Sequence, residues 1–252
     1  VGRNFWTVVS NFKFMSFLVI FSGFYFVFWQ EFIALPLYLH KFVAPDVNIE
    51  YLLAVDPAVV ILFTIPVNYL VRKWKPFRAM TIGLLVSSLS WMLLTIGALL
   101  PVMNSLAGAL GSLGITIKGT TLLVSVALVV LAAGELILSP RLYEYVSRLA
   151  PPGQQGVYMG FAFLPVAIGF YTAGAVGGRL VQYFAATPDR AHQLWWVISG
   201  LGFLLSLAVA SLATAIEALG NRLLEFVPAN VSLPPGILLD LLPATLVGFT
   251  FL

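Results

Sequence analysis

The chain has 252 residues, 60% hydrophobic and only 9% charged, with a formal net charge of +3. A soluble domain carries about 25% charged residues, and a soluble fold of this length would have to expose most of its Leu, Val and Phe. A bilayer removes that problem by acting as the apolar solvent, while the absence of cysteine excludes disulfides, thiolate nucleophiles and Cys-ligated metals.

Six apolar runs follow in chain order, at 14–39, 51–71, 77–100, 119–146, 157–184 and 194–216. Each meets the roughly 20 residues that a membrane helix needs. The fold class is therefore an all-α membrane protein, a six-transmembrane-helix bundle over 14–217. The first, fourth and fifth runs exceed a perpendicular crossing and are expected to tilt, kink or extend beyond the lipid. Residues 1–13 form a cytoplasmic lead-in without a signal-peptide cleavage pattern. Because the chain starts at Val1 rather than Met, its natural start is expected upstream. The uncharged stretch 101–116 is longer than a tight connection needs. The tail 218–252, interrupted by Pro234, Pro235, Asp240 and Pro243, reads as interfacial or partly disordered, with a truncated further span as the alternative.

Positive charge sets the orientation. Arg3 and Lys13, then Arg72, Lys73, Lys75 and Arg78, then Arg148, then Arg222 fall on one side, against single charges at Lys41, Lys118 and Arg190 on the other. This places both ends of the six-span unit in the cytoplasm, in the plasma (inner) membrane. Trp74, Trp195 and Trp196 lie near run ends, where an indole satisfies both phases. Gly174 and Gly178 form a GxxxG pair, which predicts close helix packing, with pathway lining as the other reading.

Charges inside a span cost roughly 2.5–3.5 kcal/mol on insertion scales, so each asks for a reason. Glu135 lies about 16 residues, or roughly 24 Å of helix, into the fourth run. Its neighbours Ala132, Ala133, Gly134, Leu136 and Ile137 cannot neutralise it. Pro140, five positions on, frees the carbonyl of Leu136 and predicts a kink beside the carboxylate, as where a helix borders a water-filled cavity. A structural carboxylate bonded to a neighbouring helix is the other reading. Gln30 and Glu31 lie about 12 Å from the outer end of the first run; Glu31 could face a cavity, titrate, or reach the outer interface. Asp56 precedes Pro57, a sequence that reads as a helix N-cap rather than a ligand. Arg141 and Glu144 are spaced for an i,i+3 pair, and Arg179 is placed to snorkel.

Other chemistries find little support. His40 and His192 sit at loop edges without convergent ligands for a metal. There is no phosphate-binding glycine loop and no Ser/His/Asp set. No cofactor, no nucleic-acid partner and no enzymatic activity are expected.

The segment 134–178 reads GELILSPRLYEYVSRLAPPGQQGVYMGFAFLPVAIGFYTAGAVGG. It carries Gly134, Glu135, Leu136, Ser139 and Pro140, then Leu149, Ala150 and Pro151, then Gly156, Met159 and Gly160 in order. This resembles the proton-coupled oligopeptide transporter (POT/PTR) family, a branch of the major facilitator superfamily. Phe28, Trp29 and Gln30 are a weaker match to that family's aromatic-rich seventh helix, and Asp56-Pro57 stands where the family often has Asn-Pro. The resemblance implies that the six spans are helices seven to twelve of a twelve-helix fold. It further implies that Glu135 binds a substrate amino group and takes part in gating. The N-terminal six-helix half, which would carry the family's first-helix proton-coupling motif, is then a required partner, and this chain alone should not transport.

The expected function is secondary active transport by alternating access, as proton-coupled symport of di- and tripeptides or related small solutes. The substrate-binding candidates are Glu135, Trp29 and Gln30. The proton-coupling or gating candidates are Glu135, Glu31 and Pro140. The implied partners are the lipid bilayer, the solute, protons and the missing half. The alternative is a non-transporting scaffold or receptor-like subunit on the same helices.

Overall fold

Six helices long and apolar enough to cross a membrane occupy Phe14–Val43, Ile49–Val71, Pro76–Leu93, Gly119–Leu149, Gln155–Phe184 and Gln193–Leu212. We describe them from a computed structural model that covers residues 2–43, 47–96 and 99–225. Among those residues the regular structure is entirely helical. The bundle predicted from the apolar runs is present, span for span. The last helix continues to Glu225, and the expectations for the tail beyond it lie outside the described residues.

Charge and turn chemistry place the helix ends. Asn11 caps the first span by accepting from the backbone N–H of Phe14 at 3.1 Å, and its Nδ2 donates to the Tyr158 hydroxyl at 3.2 Å. Pro76 opens the third span at its first position, where a missing N–H costs nothing. The stretch after the third span is not an open connection. Leu99–Ser112 is a helix of its own that packs on the fourth span, with Asn104 against Gly119.

The third and fourth spans form the tightest pair of the bundle, and the second span and the Leu99–Ser112 helix also lean on the fourth. The fifth span packs on the first, and the sixth on the third. Glycines make the third–fourth contact possible: a Cβ on Gly134 would lie 2.6 Å from the Gly83 carbonyl oxygen and 2.8 Å from the Ser87 backbone nitrogen. Trp91 of the third span donates from Nε1 to the Val27 carbonyl at 3.0 Å. Its ring stacks on Trp195 with centroids 4.8 Å apart. Trp195 is fully buried, so the interfacial position predicted for it is corrected: of the adjacent pair, only Trp196 is exposed, because successive helical residues point about 100° apart.

The GxxxG prediction is corrected too. Gly178 has nothing within 4 Å of a built Cβ and Gly174 touches only Ile33 at 4.0 Å. The close approach of the fifth span to the first runs instead through Gly169, Ala173 and Gly177, where Gly169 meets Tyr25 and Gly177 meets Gln30. The second span is the most exposed, with Ile61, Ile65 and Leu70 turned outward. Its outer surface suits lipid or another bundle.

Candidate functional site

The first span is not one helix. It runs as an α-helix over Phe12–Phe28, tightens into a 3₁₀ turn at Trp29–Glu31, resumes at Ala34–Tyr38 and ends in a π-helical turn at Leu39–Val43. The sequence supplies the cause. Pro36 has no N–H to give the Phe32 carbonyl four residues back, and the regular helix lapses at Phe32 and Ile33. The Gln30 amide donates to the Phe26 carbonyl at 3.1 Å and covers part of the interrupted ladder. Breaks of this kind are tolerated at membrane depth where the chain is enclosed by protein or borders a cavity.

The break carries three of the sequence-predicted site residues inward. Gln30 and Glu31 are completely buried, and among the described residues both carboxylate oxygens of Glu31 and the Oε1 of Gln30 have no hydrogen-bond partner. Of the three readings for Glu31, reaching the outer interface is thus ruled out by its burial. Trp29 packs edge-on against Phe170 of the fifth span at 5.0 Å, and its buried Nε1 also has no partner among the described residues. Gln30 fits only because Gly177 has no side chain.

Asp56 completes an acidic group and corrects its sequence reading. Its predicted role as N-cap fails because the short helix Ile49–Leu53 runs through Ala54 almost directly into the second span, with the Ala54 N–H on the Glu50 carbonyl at 3.1 Å. Asp56 instead sits in the first turn of Val55–Val71, buried, with Oδ1 lacking a partner among the described residues. Among the described residues, Asp56 and Glu135, both acidic, lie within electrostatic reach of Glu31. Three spans therefore direct carboxylates into one electrostatic neighbourhood.

Glu135 is half-buried on the fourth span, where Gly134 presses its backbone to the third span and leaves the next position turned toward this neighbourhood. Its charge also reaches Tyr25, whose hydroxyl lies 3.5 Å from that of Tyr143. Pro140 lies one turn further along the same helix, and Gly119–Leu149 is continuous through it. The first span is interrupted at 29–33 and the fifth at 162–163, whereas the helix beside Glu135 is unbroken. The predicted Arg141–Glu144 pair is present at 2.5 Å, and Arg179 is exposed. Among the described residues no group of three or more His, Asp or Glu could hold a metal ion.

The segment 46–197 matches the model of the POT family (PTR2). The chain belongs to the POT family. The match includes Asp56, Glu135 and Pro140 and stops short of Trp29, Gln30 and Glu31. The chain is also similar to the Multidrug resistance protein MdtH of Aeromonas salmonicida, 24% identical over 197 residues that make up 77% of this chain and 44% of that protein. Its counterpart in Salmonella arizonae is 24% identical over 207 residues, 80% of this chain and 45% of that protein. The chain thus spans less than half the length of these relatives.

Proposed function

We propose that this chain is the C-terminal six-helix half of a twelve-helix secondary active transporter of the major facilitator type. It works by alternating access and carries a solute with a cationic amino group, di- or tripeptides first among them, together with protons. The observation that carries the reading is Glu31: fully buried in a membrane span, at a helix break, with no partner for either oxygen among the described residues. A membrane carboxylate needs a counter-charge or a proton, and its acidic neighbours Asp56 and Glu135 cannot supply the former.

The mechanism follows from that need. An ammonium group entering between the first, second and fourth spans would neutralise Glu135 with Glu31 or Asp56, and a proton would neutralise the remainder. Rocking of two bundles about a midplane site then proceeds with the acidic group neutralised and stalls with it bare. Trp29 and Gln30 line the same break. Family membership supports transport, peptide cargo and proton coupling together. The basic loop Arg72–Arg78 supports cytoplasmic placement of both ends of the six-span unit, by the excess of Lys and Arg on that side.

A second cargo class is favoured by the same site. Asp56 and Glu135 both act electrostatically on Glu31, and relatives carry the name multidrug resistance protein, so lipophilic cations are the alternative to peptides. Competition decides between them: peptide cargo predicts saturable binding of a labelled dipeptide by the twelve-helix protein, and the alternative predicts saturable binding of a labelled tetraalkylammonium cation that peptides do not displace.

A further inference from the structure

Arg141 follows Pro140 and lies six residues beyond Glu135, about 9 Å of helix rise. Its side chain is only 12% exposed, and a guanidinium that never loses its charge must find partners where it is buried. It finds two, on different helices. Nη1 donates to the Glu144 carboxylate at 2.5 Å, one turn on in its own span. Nη2 donates across to the backbone carbonyl of Val71 at 2.9 Å. The second Glu144 oxygen accepts from Arg148 at 2.6 Å, so the fork is held in place from behind.

Val71 is the last residue of the second span and is buried. Its carbonyl is one of the groups a helix C-terminus leaves without an intrahelical donor, and it also accepts the turn bond from the Trp74 N–H at 2.9 Å. A cation there is also favoured by the helix dipole. The bond sets the level at which the second and fourth spans meet. Asp56 stands fifteen residues before Val71, about 22 Å of rise, so it lies roughly 13 Å further along the pair than Glu135 does. Between membrane helices no hydrophobic force opposes sliding, because lipid tails are as apolar as the helix surfaces. A polar cross-tie is the device that fixes axial register.

We infer that Arg141 is a positioning residue: its fork ties the second span to the fourth and fixes the depth offset between Asp56 and Glu135 while the bundle moves. The inference uses the transport reading above for its consequence and the hydrogen-bond geometry for its cause. The test is made in the twelve-helix protein reconstituted in vesicles, with spin labels on Lys73→Cys and Ser147→Cys, both exposed positions, in a background otherwise free of cysteine. With Arg141 intact, the distance distribution should be single and narrow. Arg141→Gln should broaden or shift it and raise the KM for peptide at least about tenfold with a smaller change in maximal rate, since misplacement on the ångström scale costs factors of this order. Arg141→Lys keeps the charge but not the fork and should fall between; if Arg141→Gln does not reach the membrane, this variant carries the test. Unchanged distances and unchanged KM in the variants would overturn the inference. If the natural protein takes up no peptide, the transport reading fails and the distance measurement still decides the tie.

Discussion

Gly134→Ala perturbs the contact that presents Glu135, and the structure sets its size. The added Cβ would lie 2.6 Å from the Gly83 carbonyl oxygen and 2.8 Å from the Ser87 nitrogen, both backbone atoms of the third span, where ordinary contact begins at 3.4 Å. Neither neighbour can rotate away, so the two helices must separate by 0.6–0.8 Å. Overpacking of this kind costs about 1–3 kcal/mol. Replacing a mid-helix glycine by alanine returns up to about 1 kcal/mol of helix propensity. With the full return the net loss is about 0–2 kcal/mol, which is a fall of up to roughly 8 °C in Tm for a chain of this size. Gly160, with nothing within 4 Å of its built Cβ, has the propensity term alone, so Gly160→Ala should be neutral or stabilising. Thermal unfolding of the purified protein in detergent measures both. Equal melting temperatures for the two variants, or a rise for Gly134→Ala, would refute the claim that backbone contact at Gly134 holds the third and fourth spans together. Removing the Ser87 hydroxyl should not rescue Gly134→Ala, because the Ser87 nitrogen and the Gly83 carbonyl remain.

Asp56→Asn keeps shape and removes one charge from the acidic group; uptake of lysine-containing peptides should fall relative to peptides with neutral side chains, and an unchanged ratio would remove Asp56 from the cargo's surroundings. Gly177→Ala meets only the flexible end of Gln30, so it should leave Tm nearly unchanged while displacing Gln30 and weakening substrate binding, measured by titration calorimetry on the same preparation. Gln30→Ala alone should weaken binding similarly, and adding Gly177→Ala to it should cost little more.

The spans were legible because a bilayer imposes length and apolarity on every crossing, and these are local properties of sequence. Glu135 was legible for the same reason, since a carboxylate among Ala133, Gly134, Leu136 and Ile137 has no local excuse. Asp56 was misread because Asp-Pro satisfies the rules for starting a helix; that Ala54 already continues the helix Ile49–Leu53 depends on neighbours outside that dipeptide. The break at Trp29–Glu31 had its signal in Pro36, four residues beyond Phe32. The fifth span offered two stripes of small residues, Gly174 with Gly178 and Gly169 with Ala173 and Gly177. Which one meets the first span is set by helix rotation, which composition does not encode. Arg141–Glu144 could be read from its spacing of three, whereas the bond from Arg141 to Val71 joins residues 70 positions apart and is a product of the fold.

Proton-coupled peptide transport through Glu135 is decided by uptake of labelled di- and tripeptides into proteoliposomes containing the twelve-helix protein, under an inward proton gradient, for the natural sequence and for Glu135→Gln. The natural protein should show gradient-dependent accumulation, and Glu135→Gln only background uptake at equal reconstitution. Accumulation that is unaffected by Glu135→Gln, or that ignores the gradient, would contradict it.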